Sequence, residues 1–598
     1  MENLKDRHFI LLRFTLLLTV LFAFASCQSQ PSGESRQGVG TAENRRAVGP
    51  MGGTLRYRVA APVKTFNYLA VSDEPSYIAT FFLMGGRLVE FDHDRQTYVP
   101  ALATAWEDVG DGKAFALTLR DDARFSDGRE LTAEDVAFTL RAMYDERTAS
   151  PLFRDLMMIG GKQITAQVKD AHHLQLTFPE AVAVPESYFS NIAVLPRHVL
   201  EEELRKGSLR DAYNITSDPQ RIVTSGAFTV QSAVPGESVT LRRNAHYWKR
   251  DAAGNQLPNL ESISVETITD KSNANVRINQ GALDVVDRIR PSDYGSLPHG
   301  SEAAAAAVRA YDLGPGLNTD HLWFNLNTAQ KINRSTVDSV KLAWFRDVRF
   351  RRAVSHAIDR DSMVATTLQG LATSLYGFIS PGNRAWNAAD LPQDAYDLDR
   401  ARALLAEAGF TWRNPGEAPE LYDAEGNRVE WTLIVPAENE ARKNMAAIIQ
   451  EDLGKVGMRV HIAPVESGEL ARRWSQSYDY DAVLYGTAVT EPDPSSYAGV
   501  LRSTGAQHFW APKQEKPSDW ELKIDALMTG ISFAKNENLR RADFREVQRI
   551  LAEQLPMIPI VARHLTVAAT ARLGNYRPSA VTPYSLWNVE EIFWKSDK

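Results

Sequence analysis

Cys27 is the only cysteine in 598 residues, and His172-His173 is the only pair of adjacent histidines. A single thiol cannot build a Cys-based zinc site. Its place directly behind an apolar run, "LFAFASC", also takes it out of thiolate catalysis. The histidine pair lies in "KDAHHLQLTF", where polar residues lead into an alternating strand. Neighbouring residues of a strand point to opposite faces, so the two rings cannot readily share one metal. The chain has no His-Glu-x-x-His, no Gly-x-Ser-x-Gly elbow, no phosphate-binding loop and no Gly-x-Gly-x-x-Gly. No catalytic residue, metal ligand or cofactor is therefore expected. Carboxylate pairs for glycoside hydrolysis carry no fixed spacing, so an exported glycosidase stands as the alternative.

The N-terminus explains the lone thiol. Lys5, Arg7 and Arg13 precede an apolar stretch from Phe14 to Ala25, interrupted by Thr15 and Thr19. That stretch is too short for a membrane span, which needs about 20 residues. A positive flank, a short apolar core and the small residues Ala25 and Ser26 read as an export signal. With Cys27 directly after them, the segment resembles a bacterial lipobox, whose cysteine is lipidated and becomes the new N-terminus. Residues 1–27 are thus expected to be a lipoprotein signal peptide and 28–52 a flexible tether. Residues 28–50 are polar, rich in Gly, Ser and Gln, and reach on the order of 25 Å. The expected location is the periplasm or cell envelope, anchored to a membrane. The net charge of −8, with interspersed signs, shows no basic stripe and argues against a nucleic-acid partner.

Beyond the tether the pattern is globular. Asp111-Gly112 and Asp127-Gly128 are turn signals. Between them Phe115, Leu117 and Leu119 alternate with Ala116 and Thr118 as in a half-buried strand. Thr132 and Asp135 then form a capping-box pattern for a helix with Val136, Leu140 and Met143 on one face. "TLIV" (432–435) and "MRVHIAPV" (458–465) read as strands around a helix with Met445, Ile448, Ile449 and Leu453 inward. A strand–helix–strand unit favours parallel pairing. "DAVLYG" (481–486) is a further strand that runs into the loop "TAVTEPDPSSY". The fold class is α/β and α+β, in several lobes.

Six ordered segments resemble the family 5 extracellular solute-binding proteins of bacterial ABC importers. They are "ALATAWEDVGDGKAFALTLRDDARFSDGRELTAEDVAFTL", "TSGAFTVQSAVPGESVTLRRNAHYW", "INQGALDVV", "FRDVRFRRAVSHAIDRDSMV", "LDRARALLAEAGF" and "EQLPMIPIV". The resemblance implies a two-lobed clamp of the periplasmic-binding-protein kind (type II, cluster C-like). Lobe I would comprise 53–90, 180–313 and 556–598, with an inserted subdomain at 91–179, and lobe II would span 314–555. It implies a monomer that captures a peptide or peptide-like solute between the lobes and hands it to ABC permease and ATPase subunits.

By the same resemblance, the ligand amino group meets an aspartate shortly after a strand ending in Gly-Trp. In this chain Thr487 replaces the tryptophan and Thr490 stands where the aspartate is expected, leaving Glu491 or Asp493 to supply the charge. "VSDEPS" (71–76) matches a pocket-lining loop, so Ser72, Asp73 and Glu74 are ligand-binding candidates, as are Trp323 and Tyr485. The altered loop leaves a sugar or a metal chelate open as the solute.

Overall fold

The computed structural model describes residues 47–595, apart from 151, 160, 300–305, 329–336, 415, 417, 488, 490, 491, 506, 513, 515 and 535. The signal peptide, Cys27 and most of the tether lie outside the described residues, and so do Thr490 and Glu491.

Among the described residues eleven strands form one mixed sheet. In chain order they are β1 (Thr54–Val59), β2 (Phe228–Val234), β3 (Ser238–Arg243), β4 (Ser262–Thr267), β5 (Val285–Asp287), β6 (Val308–Phe324), β7 (Ala372–Ser374), β8 (Glu430–Pro436), β9 (Arg459–Val465), β10 (Ala482–Thr487) and β11 (Met557–Thr570). Their order across the sheet is β2-β3-β4-β1-β5-β11-β6-β10-β8-β9, with β7 pairing on β11.

The local expectations can be followed into the structure, the first of them in a separate four-stranded sheet. Residues Ala103–Asp108 and Ala114–Leu119 form an antiparallel hairpin with Phe115, Leu117 and Leu119 buried. Helix α1 (Ala133–Tyr144) starts at the expected capping box, where the Thr132 N–H donates to Asp135 Oδ2 (2.9 Å). β8 and β9 pair in parallel from Glu430↔Arg459 to Pro436↔Val465. Helix α2 (Glu440–Gly454) joins them, capped by the Asn439 side chain. Its buried stripe is Met445, Ala446, Ile449 and Leu453, whereas Ile448 is only half-buried. Residues 445, 449 and 453 repeat every four positions, and 446 lies beside that line on the core side.

Two hydrophobic cores flank the middle of the sheet. The first gathers Leu55, Tyr57, Phe115, Phe138, Val265 and Val285. The second gathers Leu322, Phe324, Trp431, Ile449, Ile558 and Val561. β6 and β11 pair antiparallel from Val308↔Thr570 to Trp323↔Met557 and run from one side to the other. β11 pairs with β5 through Val567–Ala569 and with β7 through Val561–Arg563, so it changes neighbours as it crosses. The β6–β11 register slips between Asp312 and Thr319, which marks the crossing itself.

A loop rests on this crossing. The Ser380 hydroxyl donates to the Gly316 carbonyl (2.5 Å), and Gly382 approaches the Pro315 carbonyl so closely that a Cβ there would collide with it. Gly382→Ala is expected to lower stability by about 1–3 kcal/mol through this overpacking. A shift in the urea midpoint at unchanged slope would register it. An unchanged midpoint would mean that the loop is free to lift.

Candidate ligand-binding cleft

β1 runs parallel to β4 and β5, and their carboxyl ends lie at Val59, Thr267 and Asp287. On the other side β8 runs parallel to β9 and β10, with carboxyl ends at Pro436, Val465 and Thr487. Asp287 pairs with Val567, and Thr487 pairs with Thr319, which in turn pairs with Ala562. Both sets of carboxyl ends therefore run up to the β6–β11 crossing from opposite sides. Ligands of open α/β sheets bind outside the carboxyl ends of strands where the strand order changes. The crossing is such a place twice over.

On the second-core side the wall is built around Asp320 of β6. This side chain is 2% exposed and is held by two arginines. Arg442 Nε, in the first turn of α2, donates to Oδ1 (2.7 Å), and Arg563 Nε, on β11, donates to Oδ2 (2.5 Å). Burial alone would raise the Asp320 pKa. The charges of Arg563 and Arg442 outweigh it and hold the carboxyl down to about 2. The Arg442 guanidinium also lies 4.5 Å from the centre of the Tyr485 ring. It presses on Gly486, where a Cβ would collide with it. Beside this group Thr319 Oγ1 lies 2.7 Å from Thr487 Oγ1 and 2.8 Å from His321 Nε2. Gly486→Ala is expected to push Arg442 off Asp320 while leaving the sheet paired. A higher Asp320 pKa, followed by carboxylate NMR, would show the lost charge.

On the first-core side, Arg288 follows the last residue of β5 and holds a left-handed backbone (φ 57°). Its Nη2 donates to Glu74 (2.5 Å), and its guanidinium lies 5.2 Å from the centre of the Tyr584 ring. Asp287 behind it is buried and accepts from Tyr57 (2.6 Å) and from Ser585. Burial pushes the Asp287 carboxyl above its usual range.

The candidates named from the sequence fall in different places. Glu74 faces Arg288, while Ser72 is exposed. Asp73 caps the turn Glu74–Tyr77, its Oδ1 accepting from the Ser76 N–H (2.9 Å). Tyr485 lies under Arg442, and Thr487 closes the strand end. Trp323 is 1% exposed and stacked on Phe509 (5.2 Å), which makes it a core aromatic rather than a cleft surface. Both oxygens of Asp493 accept from Arg540 Nη2 (2.9 and 2.7 Å), so its charge is neutralised within its own side. Asp320, Arg442, Arg563 and Arg288 are absent from the sequence reading. A buried-side Asp in the apolar run "DHLWF" is the one local signal that pointed to them.

A family model described as "Bacterial extracellular solute-binding proteins, family 5 Middle" matches residues 97–509. The chain belongs to this family. The dipeptide-binding protein of Pseudomonas aeruginosa is 25% identical over 510 residues, covering 82% of this chain and 86% of the relative. The oligopeptide-binding protein AppA of Bacillus subtilis, solved with a nonapeptide, superposes with a TM-score of 0.68 at 20% identity, covering 92% of this chain and all of that one. MelB of Agrobacterium fabrum, solved with stachyose, superposes with a TM-score of 0.70 at 22% identity, covering 93% and 86%. The family 5 fold is thus the two-lobed one, and its relatives are binding proteins. Among the described residues no helix is long and apolar enough to cross a membrane.

Proposed function

We propose that this family 5 protein is the solute-capturing component of an ABC importer, holding a peptide or peptide-like solute in the cleft at the β6–β11 crossing. The observation that carries this reading is the convergence of two sets of strand carboxyl ends on a crossing made of only two strands. Two strands bend more readily than a full sheet, so the sides can close on a ligand that touches both. Such a ligand stabilises the closed form by its differential affinity. The proposed lobes are 53–90, 180–313 and 556–598 on one side with the insert 91–179, and 314–555 on the other, with Ile558 and Val561 at the start of β11 packing into the second core. No reaction is assigned to the cleft. Among the described residues the charged groups Asp320, Arg442 and Arg563 are engaged with one another on one side, and Glu74 with Arg288 on the other.

Mass spectrometry of whatever co-purifies from native cells tests the function directly. A small peptide released on unfolding supports it, and turnover of an oligosaccharide by the purified protein would overturn it. A non-peptide solute is the second reading, favoured by the engagement of Asp493 with Arg540 and by Thr487 at the strand end.

The anchor is proposed on the lipobox resemblance alone. Cys27→Ala is expected to move the protein from the membrane fraction to the soluble envelope fraction, with solute affinity unchanged. Retention in the membrane fraction would refute lipidation at Cys27.

A further inference from the structure

The two sides of the chain also meet away from the β6–β11 crossing. Helix α3 (Asp519–Phe533) packs into the second core through Ile524, Met528 and Ile531. The last carbonyls of a helix have no partner within it and need donors from elsewhere. Gly530 finds one in the Ala534 N–H (2.9 Å) and Ile531 in Arg540 Nε (2.9 Å), both from the same side. The Ser532 carbonyl accepts instead from the Ala183 N–H (3.1 Å), which belongs to the first-core side.

The strap that brings this donor is pinned on both flanks. Val182 and Phe189 are buried in the first core, and the Val182 N–H donates to the Gly112 carbonyl (2.9 Å). Glu186 accepts from Trp106 Nε1 (2.8 Å), and the Tyr188 ring meets Phe178 edge to face, 5.3 Å between centres. Ala183 lies between these anchors, outside any helix or strand. Held in this way, the strap loses little freedom when it makes its contact. The Tyr188 hydroxyl also looks across. Burial raises its pKa, the charge of Asp493 adds to the rise and the charge of Arg502 opposes it. Both charges come from the second-core side. Asp493 follows β10, and Arg502 follows the short helix Ala498–Leu501, whose Val500 and Leu501 lie in the second core.

We propose that residues 183–188 are a latch between the two sides, seated on the end of α3, so that a contact of the protein with itself helps to set its affinity for solute. The inference rests on the solute-capture reading above and concerns the share of closure that the solute does not supply. Sides that part about the crossing must give up the Ala183–Ser532 bond and draw Tyr188 away from Asp493 and Arg502. The latch therefore raises the population of the closed form before any solute arrives, and the apparent dissociation constant falls as that population rises. A neutral hydrogen bond of ordinary net strength shifts such an equilibrium about 5-fold.

Hydrogen exchange of the full chain, without solute and resolved to the Ala183 amide, reads the latch directly and needs no variant to fold. Protection of at least about 10-fold over an open chain is expected. Trialanine serves as the probe solute for the rates. Tyr188→Phe keeps the ring on Phe178 and removes the hydroxyl, and is expected to speed both the Ala183 exchange and trialanine release about 2-fold. Ala183→Pro deletes the donor. Trialanine is expected to leave this variant about 5-fold faster than the wild type, with its association rate unchanged. A merely structural strap would lower the urea midpoint and leave the release rate where it was. Exchange of the Ala183 amide at the open-chain rate, or an unchanged release rate in both variants, would overturn the latch and leave solute capture standing. If trialanine fails to bind, that counts against the peptide reading, while the Ala183 exchange still decides the latch.

Discussion

Asp320→Asn is expected to destabilise the protein by about 3 kcal/mol, the lower end of what breaking a buried ion pair costs. The substitution keeps the shape of the side chain and removes its charge. Two guanidinium groups would then face each other with no anion between them, one 16% and the other 31% exposed. The new amide could accept from only one of the two Nε donors through its oxygen and would turn its N–H₂ toward the other. The loss should fall at the crossing, because the three residues come from β6, α2 and β11. Urea unfolding followed by tryptophan fluorescence measures it. A loss under about 1 kcal/mol, the range of exposed pairs, would mean that water already screens the group.

The same carboxyl sets an acid limb. Its pKa of about 2 in the folded chain lies below the ordinary value of 3.8. Glu521 behaves alike. Burial would raise it, but hydrogen bonds from His508 and from Ser518 bring it down from 4.5 to about 2. A carboxyl depressed by folding contributes stability that is complete above its unfolded value and is lost as pH falls through its folded value. Stability should therefore hold above pH 4.5 and fall between about 4.5 and 2. In Asp320→Asn the share of that limb due to residue 320 should vanish, and a limb unchanged in steepness would contradict the assignment.

The strand–helix–strand unit at 430–465 is legible in the sequence because its signals are local. "TLIV" is a β-branched, apolar run, Asn439 is a cap, and Met445, Ile449 and Leu453 repeat at helical spacing. The hairpin and helix at 103–144 are legible for the same reason. The charged group at the crossing is not. Arg442 lies 122 positions from Asp320, and Arg563 lies 243 positions from it. In the sequence each arginine looks like one more charge on a solvated face. Only the pairing of β10 with β8 and β6, and of β6 with β11, brings the three together. Trp323 fails in the opposite sense. Its type suits a ligand contact, but its place opposite Met557 in the middle of the sheet turns it into the second core.

Arg540→Ala is expected to cost about 3–5 kcal/mol, more than the change at Asp320, because three contacts go at once. Arg540 is 4% exposed, and Asp493, its partner, 14%. Its Nη2 serves both Asp493 oxygens, its Nε donates to the Ile531 carbonyl (2.9 Å), and its guanidinium lies 5.1 Å from the centre of the Trp386 ring. Without it Asp493 keeps an unpaired charge at low exposure. Asp493 also caps the short helix Pro494–Tyr497, its Oδ1 accepting from the Ser495 N–H (2.9 Å), so that turn should loosen too. Asp493→Asn preserves the cap but loses the charge and one of the two hydrogen bonds from Arg540 Nη2, while Arg540 keeps its Ile531 and Trp386 contacts, so its cost should be the smaller of the two. A double-mutant cycle on Asp493 and Arg540 is expected to show a coupling of about 2–3 kcal/mol. The decisive readout is binding. If Asp493 neutralises a ligand amine, Asp493→Asn must weaken trialanine relative to N-acetyl-trialanine. Its engagement by Arg540 gives the opposite expectation. The ratio of the two affinities should stay within about two-fold of the wild-type ratio while the urea midpoint falls, because a charge already paired in two hydrogen bonds has little left to offer a ligand.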